Sequence, residues 1–234
     1  MELRLLIIAV IPAIIIIAGI YLSDRHDREP LRVLLFTYIL GALTVIPSVI
    51  VEEILIAFNI FPGVLGAFYN AFLVAGFTEE FFKRLVVLKY PYKTKFFNEK
   101  LDGIVYCVFA TMGFATVENI IYVAYRYTNN PFIGLYRGIF SVPAHAVFGI
   151  TMGYYLSLAK FDTNIDRKRM NMRKSLYMPI IMHGMFDFIL MAEIPQLTMV
   201  FVPYVIFLWI LNQRKLANFM YDSKSRVIGL KRKE

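Results

Sequence analysis

The sequence predicts an all-α, polytopic transmembrane helix bundle of about seven spans, forming a single domain over 1–234. Three observations predict it. The 234 residues are 59% hydrophobic, with a mean hydropathy of +0.60, which is too apolar for a soluble globule. The apolar residues fall into long runs of the length that crosses a hydrocarbon layer as a helix. Lys and Arg lie almost entirely in alternate loops between those runs, the pattern that orients a chain in a membrane.

The first span is 3–22, almost purely apolar. It exceeds a signal-peptide core and no small-x-small cleavage site follows it, so an uncleaved helix is expected. A polar loop from Ser23 to Pro30 holds His26, expected to be solvated. Glu29-Pro30 opens the second span, 31–57, with Pro47 inside it. Glu52 and Glu53, near its far end, are expected at the interface and receive no role. The third span, 64–88, contains Glu79-Glu80-x-x-Lys83-Arg84 and ends in a basic loop to Lys100. The fourth, 101–125, carries Glu118-Asn119, and a polar turn from Arg126 to Pro131 follows. The fifth, 132–160, carries Pro143 and His145, with Gly149 and Gly153 continuing the His145 stripe. After a basic loop from Asp162 to Lys174, the sixth, 175–192, carries Pro179, His183 and Asp187. The seventh, 197–211, contains Pro203 and leads to a basic cytoplasmic tail, 213–234.

Loops one, three and five and the tail hold 20 of the 25 Lys and Arg. The positive-inside rule then puts the N-terminus outside and the C-terminus in the cytoplasm. The net charge of +8 belongs to this asymmetry and an anionic lipid surface, not to nucleic acid, since no basic, aromatic-interleaved surface accompanies it. One cysteine, Cys107, precludes an intrachain disulfide. No internal repeat is visible.

Charged residues inside a span cost roughly 2.5–3.5 kcal/mol each on insertion scales. Four within six positions of the third span therefore mark a site. Residues four apart share a helix face, so Glu79 is expected over Lys83 and Glu80 over Arg84. Ala67, Ala71 and Ala75 extend the Glu79 stripe and admit a close neighbour. Centring each span on the bilayer puts Glu79 and His183 near the midplane, with His145 roughly 3 Å and Glu118 roughly 6 Å further out. Pro143 and Pro179 bend the two histidine helices and can open a wet pocket.

Carboxylates and histidines around water support hydrolysis, with a carboxylate as general base and a histidine donating to the oxyanion. The same residues can instead hold zinc, through His145, His183 and Glu79 or Glu118. The residue types leave both versions open. No His-Glu-x-x-His pair is present, and no Ser or Cys stands beside a base. A proton-coupled transporter also needs buried Glu, His and Lys, although transporters usually show repeats. A non-catalytic scaffold or immunity-type protein is the third reading.

Glu79-Glu80-x-x-Lys83, Gly113-Phe-Ala-Thr-Val-Glu118-Asn119, Pro143-Ala-His145 and His183-Gly-Met-Phe-Asp187, in that order, resemble the PrsW family of bacterial intramembrane proteases. The segment from Tyr21 to Pro30 also looks like that family's first loop. More distantly, Glu79-Glu80-x-x-x-Arg84 and His183-x-x-x-Asp187 are similar to the CAAX prenyl endopeptidase and bacteriocin-processing superfamily. Ser141 stands where that superfamily has the phenylalanine of its middle motif, and Asp187 where the prenyl endopeptidases commonly have asparagine.

The resemblance implies Glu79 as base activating water together with His145, and Glu80 held by Arg84. It implies that His183, oriented by Asp187, polarises the scissile carbonyl. Glu118 belongs to the pattern with its role open among base, ligand and structural acceptor; Lys83 and Asn119 are supporting residues. The implied substrate is a single-span anti-sigma factor in the bacterial cytoplasmic membrane, cut near its outer side as the first of two cleavages. No cofactor is assigned; zinc is the alternative, and the metal-free version is the one favoured.

Overall fold

In the computed structural model, residues 3–126 and 132–231 are described, and they form helices joined by short loops with no strand among them. Seven helical rods occupy the seven predicted intervals. They are α1 (Leu3–Ser23), α2 (Leu31–Leu43 and Val45–Ala57), α3 (Gly63–Tyr69, Asn70–Phe77 and Thr78–Lys89), α4 (Lys100–Arg126), α5 (Ile133–Tyr136, Arg137–Ser141 and Val142–Phe161), α6 (Ile165–Met191) and α7 (Pro195–Lys231). Five of them are long and apolar enough to cross a membrane by length and composition; α3 and α6, which carry the site's acids and bases, are not among those five.

Breaks within the rods have local causes. Pro47 has no N–H for the Leu43 carbonyl, and α2 is interrupted at Thr44. The Thr44 hydroxyl donates to the Gly41 carbonyl at 2.6 Å. Two segments are wound as π-helix, Asn70–Phe77 in α3 and Arg137–Ser141 in α5. The second directly precedes Pro143, whose ring cannot complete the ladder.

The molecule is organised around α4. Its side chains from Leu101 to Ala115 are buried on every face, as expected of a helix apolar all round. α1, α2 and α5 pack against it, and α6 closes the bundle against α3 and α5. Large apolar side chains such as Ile15, Leu35, Ile50 and Phe207 point outward, which suits hydrocarbon and not water. α5 and α4 approach closely at Gly153 and Gly103: a Cβ on Gly153 would lie 2.2 Å from the Gly103 carbonyl oxygen. The predicted small-residue stripe through His145 is therefore a helix-packing face.

Several expectations change. The basic loop 162–174 is helical from Ile165, where Asn164 caps α6 by accepting from the backbone N–H groups of Asp166 and Arg167. The tail is not a loop, because α7 continues as helix to Lys231. The turn expected over 126–131 lies outside the described residues beyond Arg126. The first loop is not uniformly solvated. His26 is exposed, but Asp24 and Glu29 are buried. Tyr106 of α4 donates its hydroxyl to Glu29, and the Asp24 carboxylate accepts from the Glu29 backbone N–H at 3.3 Å.

Candidate active site

The site is built where the second halves of α2, α4 and α6 meet the middle of α3 and the first half of α5. Close approach of α3 and α6 makes it possible. A Cβ on Gly76 would lie 3.2 Å from both the Gly184 nitrogen and the Ile180 oxygen, and a Cβ on Gly184 would lie 2.4 Å from the Phe72 ring. Only side chains of this size let the two backbones meet here, and the contact brings Glu80 to 3.0 Å from His183 Nδ1. The π-wound turns sit immediately before Thr78-Glu79-Glu80 and before Val142-Pro143-Ala144-His145. Such turns recur at functional sites because they re-aim the following side chains.

Lys83 is the hub. Its ammonium, fully buried, donates to Glu79 at 2.8 Å, to Glu80 at 2.9 Å and to His145 Nδ1 at 3.1 Å. It also lies 4.1 Å from the centre of the Phe114 ring. A lysine ammonium has three donors and no acceptor, so all three are spent and His145 Nδ1 must be the acceptor. The His145 proton then sits on Nε2 and is donated to Glu118 at 2.9 Å. Glu118 in turn pairs with Arg137 at 2.9 Å. Arg137 Nε donates to Asn119 at 3.0 Å, Asn119 donates to the Ala9 carbonyl of α1 at 2.8 Å, and the guanidinium stacks 3.9 Å from the Tyr122 ring.

His183 lies between carboxylates. Its Nδ1 faces Glu80; its Nε2 is 3.3 Å from Asp187 and 4.0 Å from Glu79. Phe148 stacks on the ring at 4.9 Å. A cavity of about 290 Å³ opens beside this assembly. Glu79, Glu118, His145, His183 and Asp187 line it, together with Glu52, Tyr122 and Arg137. Glu80 and Lys83 do not line it and are fully buried behind it.

Each sequence-predicted site residue can now be placed. Glu79, Glu80, His145 and His183 offer ligand atoms all within 4.8 Å of one another. Glu79 over Lys83 and Asp187 beside His183 stand as expected. The expected Glu80–Arg84 pair does not form: Lys83 and His183 hold Glu80, while Arg84 donates to the Ser175 hydroxyl and the Met172 carbonyl, both at 2.9 Å. The i, i+3 position of Lys83 lies as close to Glu80 as the i, i+4 position of Arg84, and the histidine across the seam draws Glu80 inward. His145 does not share a free nitrogen with Glu79, since Lys83 and Glu118 engage both of its ring nitrogens.

Two cavity residues escape the sequence argument. Arg137 is a lone arginine a few residues into an apolar segment, which is itself the signal. Glu52 sits on the same helix face as Val45, Val49 and Ile56, all of them lining the cavity; its neighbour Glu53 faces outward and is exposed.

The separation of the four ligand atoms suits a metal ion, but their surroundings do not. Lys83 already satisfies three of the four donors, and a dication among them would sit against a buried ammonium. The residues as arranged do not fit a metal held by this quartet.

A family model of "PrsW family intramembrane metalloprotease" matches residues 29–211. The chain is 40% identical over 235 residues to Protease PrsW of Clostridioides difficile, covering 100% of this chain and 99% of the relative. It is 34% identical over 204 residues to Protease PrsW of Bacillus subtilis, covering 87% and 90%. It is 32% identical over 216 residues to Protease PrsW of Halalkalibacterium halodurans, covering 92% and 97%. No solved structure matches. With its buried Glu-Lys-His assembly opening on a cavity inside the helix bundle, the chain belongs to the PrsW family and is a membrane-embedded peptidase.

Proposed function

We propose that the peptidase cleaves one peptide bond in a single-span membrane protein, by water that Glu79 activates inside the bilayer. The observation that carries this is the division of the carboxylate pair. Lys83 holds one oxygen of Glu79 while the side chain faces the cavity, and Glu80 is withdrawn behind it. Glu79 takes a proton from water, and the hydroxide adds to the scissile carbonyl. His183 Nε2, facing the cavity, donates to the oxyanion that develops. When the C–N bond breaks, the proton held on Glu79 passes to the leaving amine. Glu80 fixes the His183 ring from behind, and Asp187 holds it from the cavity side. The chain of Arg137, Glu118 and His145 keeps Lys83 in register; these are positioning residues.

The predicted topology, with the N-terminus outside, puts the cavity in the outer half of the bilayer of a bacterial cell. That depth supports a cut near the outer side of the substrate's span, the place implied for an anti-sigma factor. Substrates of this kind must unwind locally, and the cavity among the five rods α2 to α6 gives room for it.

Reconstitution with a panel of single-span membrane proteins from the same cell tests the proposal. Glu79→Gln and His183→Ala are expected to lower cleavage about 10²–10⁴-fold. If Glu79→Gln, Glu80→Gln, His145→Ala and His183→Ala all still cleave, the mechanism is wrong. Chelation should leave cleavage unchanged. Loss on chelation with recovery on adding zinc would support the family's description as metalloproteases instead, and would mean that Lys83 vacates its place.

A further inference from the structure

Among the described residues, Glu52 is the one cavity carboxylate with no partner. Glu79 is held by Lys83, Glu118 by Arg137 and His145, and Asp187 lies beside His183. Glu52 makes no hydrogen bond or ion pair among the described residues, and its Oε1 is buried without a partner. Within a bilayer an acid of this kind is expensive unless something comes to meet it. Glu53, one position on, faces outward at the same depth, so a need for surface charge does not explain why its neighbour points inward. α2 has no other acid in its second half, and its cavity face is otherwise Val45, Val49 and Ile56.

The chemistry of the occupant is the converse. A substrate helix that reaches the scissile bond must give up helical hydrogen bonds to become extended. It then brings orphaned backbone N–H groups into a place without bulk water. A carboxyl oxygen accepts from such donors. We propose that Glu52 is a substrate-binding residue, accepting a hydrogen bond from a backbone N–H of the unwound substrate segment beside the scissile bond. The proposal rests on the peptidase mechanism above for the identity of the occupant. It assigns to α2, which otherwise contributes only apolar side chains to the cavity, the task of holding the strand opposite Glu79 and His183.

The test uses the full-length protein in lipid nanodiscs and one cleaved member of the single-span panel, prepared semisynthetically. Backbone amides around the cut are replaced one at a time by esters, which lack the N–H. Affinity is read by fluorescence anisotropy on the inactive Glu79→Gln background, and kcat and KM on the wild-type background. Glu52→Gln keeps a carbonyl acceptor and is expected to hold KM within about threefold. Glu52→Leu should raise KM about tenfold, the loss of one buried hydrogen bond, with kcat within about twofold.

At one ester position the wild-type protein should lose about tenfold in affinity and the Glu52→Leu protein nothing further. The idea is overturned if every ester weakens both proteins equally, if Gln and Leu are equally damaging, or if Glu52→Leu lowers kcat alone. A misfolded Leu variant would reveal itself by weakening all substrates alike, and the Gln variant with the ester series would still decide. Retained cleavage by Glu79→Gln would overturn the water-activation mechanism while the affinity data still judged Glu52. Failure of the whole panel to bind would overturn both.

Discussion

Lys83 has three donors and three acceptors around it, and it is the one group that bonds both carboxylates, His183 adding a bond to Glu80 alone. Removing one member of a buried charge group leaves the others unpaired, at about 3–5 kcal/mol. Lys83→Met is therefore expected to lower the thermal midpoint of the detergent-solubilised protein sharply as well as to abolish cleavage. The double variant Glu79→Gln with Lys83→Met should recover part of that stability without activity. A Lys83→Met protein as stable as the parent would show that the network contributes nothing. Arg84 gives the contrast. It lies one residue from the hub but serves the α3–α6 seam through Ser175 and Met172. Arg84→Ala should reduce stability by about 1–3 kcal/mol through loss of its two hydrogen bonds across the seam, the Ser175 hydroxyl still donating to the Met172 carbonyl, with kcat held within about threefold. A loss of kcat as large as that of Glu80→Gln would revive the expected Glu80–Arg84 pair.

At the scale of elements, the distance between α3 and α6 controls the chemistry. Gly184 faces the Phe72 ring so closely that any Cβ must displace it. Gly184→Val is expected to separate Glu80 from His183, costing about 1–3 kcal/mol from overpacking and most of the activity. Phe72→Ala added to Gly184→Val should restore part of both, because it empties the space that the valine needs. Unchanged activity in Gly184→Val would mean that the close approach is incidental.

Elements were also where the sequence was most informative and where it failed. Four residues from four helices, Glu79, Glu118, His145 and His183, could be assigned to one thin slab from segment lengths alone, and they do line one cavity. Which atom faces which could not, because it depends on the azimuth of each helix after a π-wound turn, and a turn of that kind adds a residue without any sequence signature. Glu80 appeared to belong to Arg84 because the i, i+3 and i, i+4 positions are equally close and the histidine across the seam cannot be seen from the spacing, and Glu52 was left at the interface because the break at Thr44 resets the face that its helix turns inward. The extent of α6 and α7 escaped for another reason. Polar residues from Ile165 to Lys174 and beyond Gln213 end a hydropathy run but not a helix.

For the whole molecule, the end opposite the cavity holds a separate group of buried acids. Glu29, outside the spans, has its carboxyl pushed up from 4.5 to about 9, first by burial and next by the Asp102 charge. Asp24 is likewise raised to about 6 by burial, which outweighs its backbone hydrogen bond to Glu29. A carboxyl with a raised folded pKa binds its proton more tightly folded than unfolded. Its contribution is present at low pH and is lost as pH climbs from about 4.5 towards 9. The thermal midpoint is expected to fall across that window. Glu29→Gln, which still accepts from the Tyr106 hydroxyl, should flatten the decline. An equal decline in that variant would assign the pH dependence elsewhere.

The central claim is that a single cavity-facing carboxylate, steadied by an ammonium behind it, performs the proton transfers of peptide hydrolysis within the membrane. Single-turnover cleavage of one reconstituted substrate by wild type and by Glu79→Gln, at equal substrate occupancy and with folding checked by thermal midpoint, tests it most directly. The account predicts a loss of about 10²–10⁴-fold in the cleavage rate constant with occupancy and midpoint unchanged. Cleavage by Glu79→Gln at the wild-type rate would contradict it.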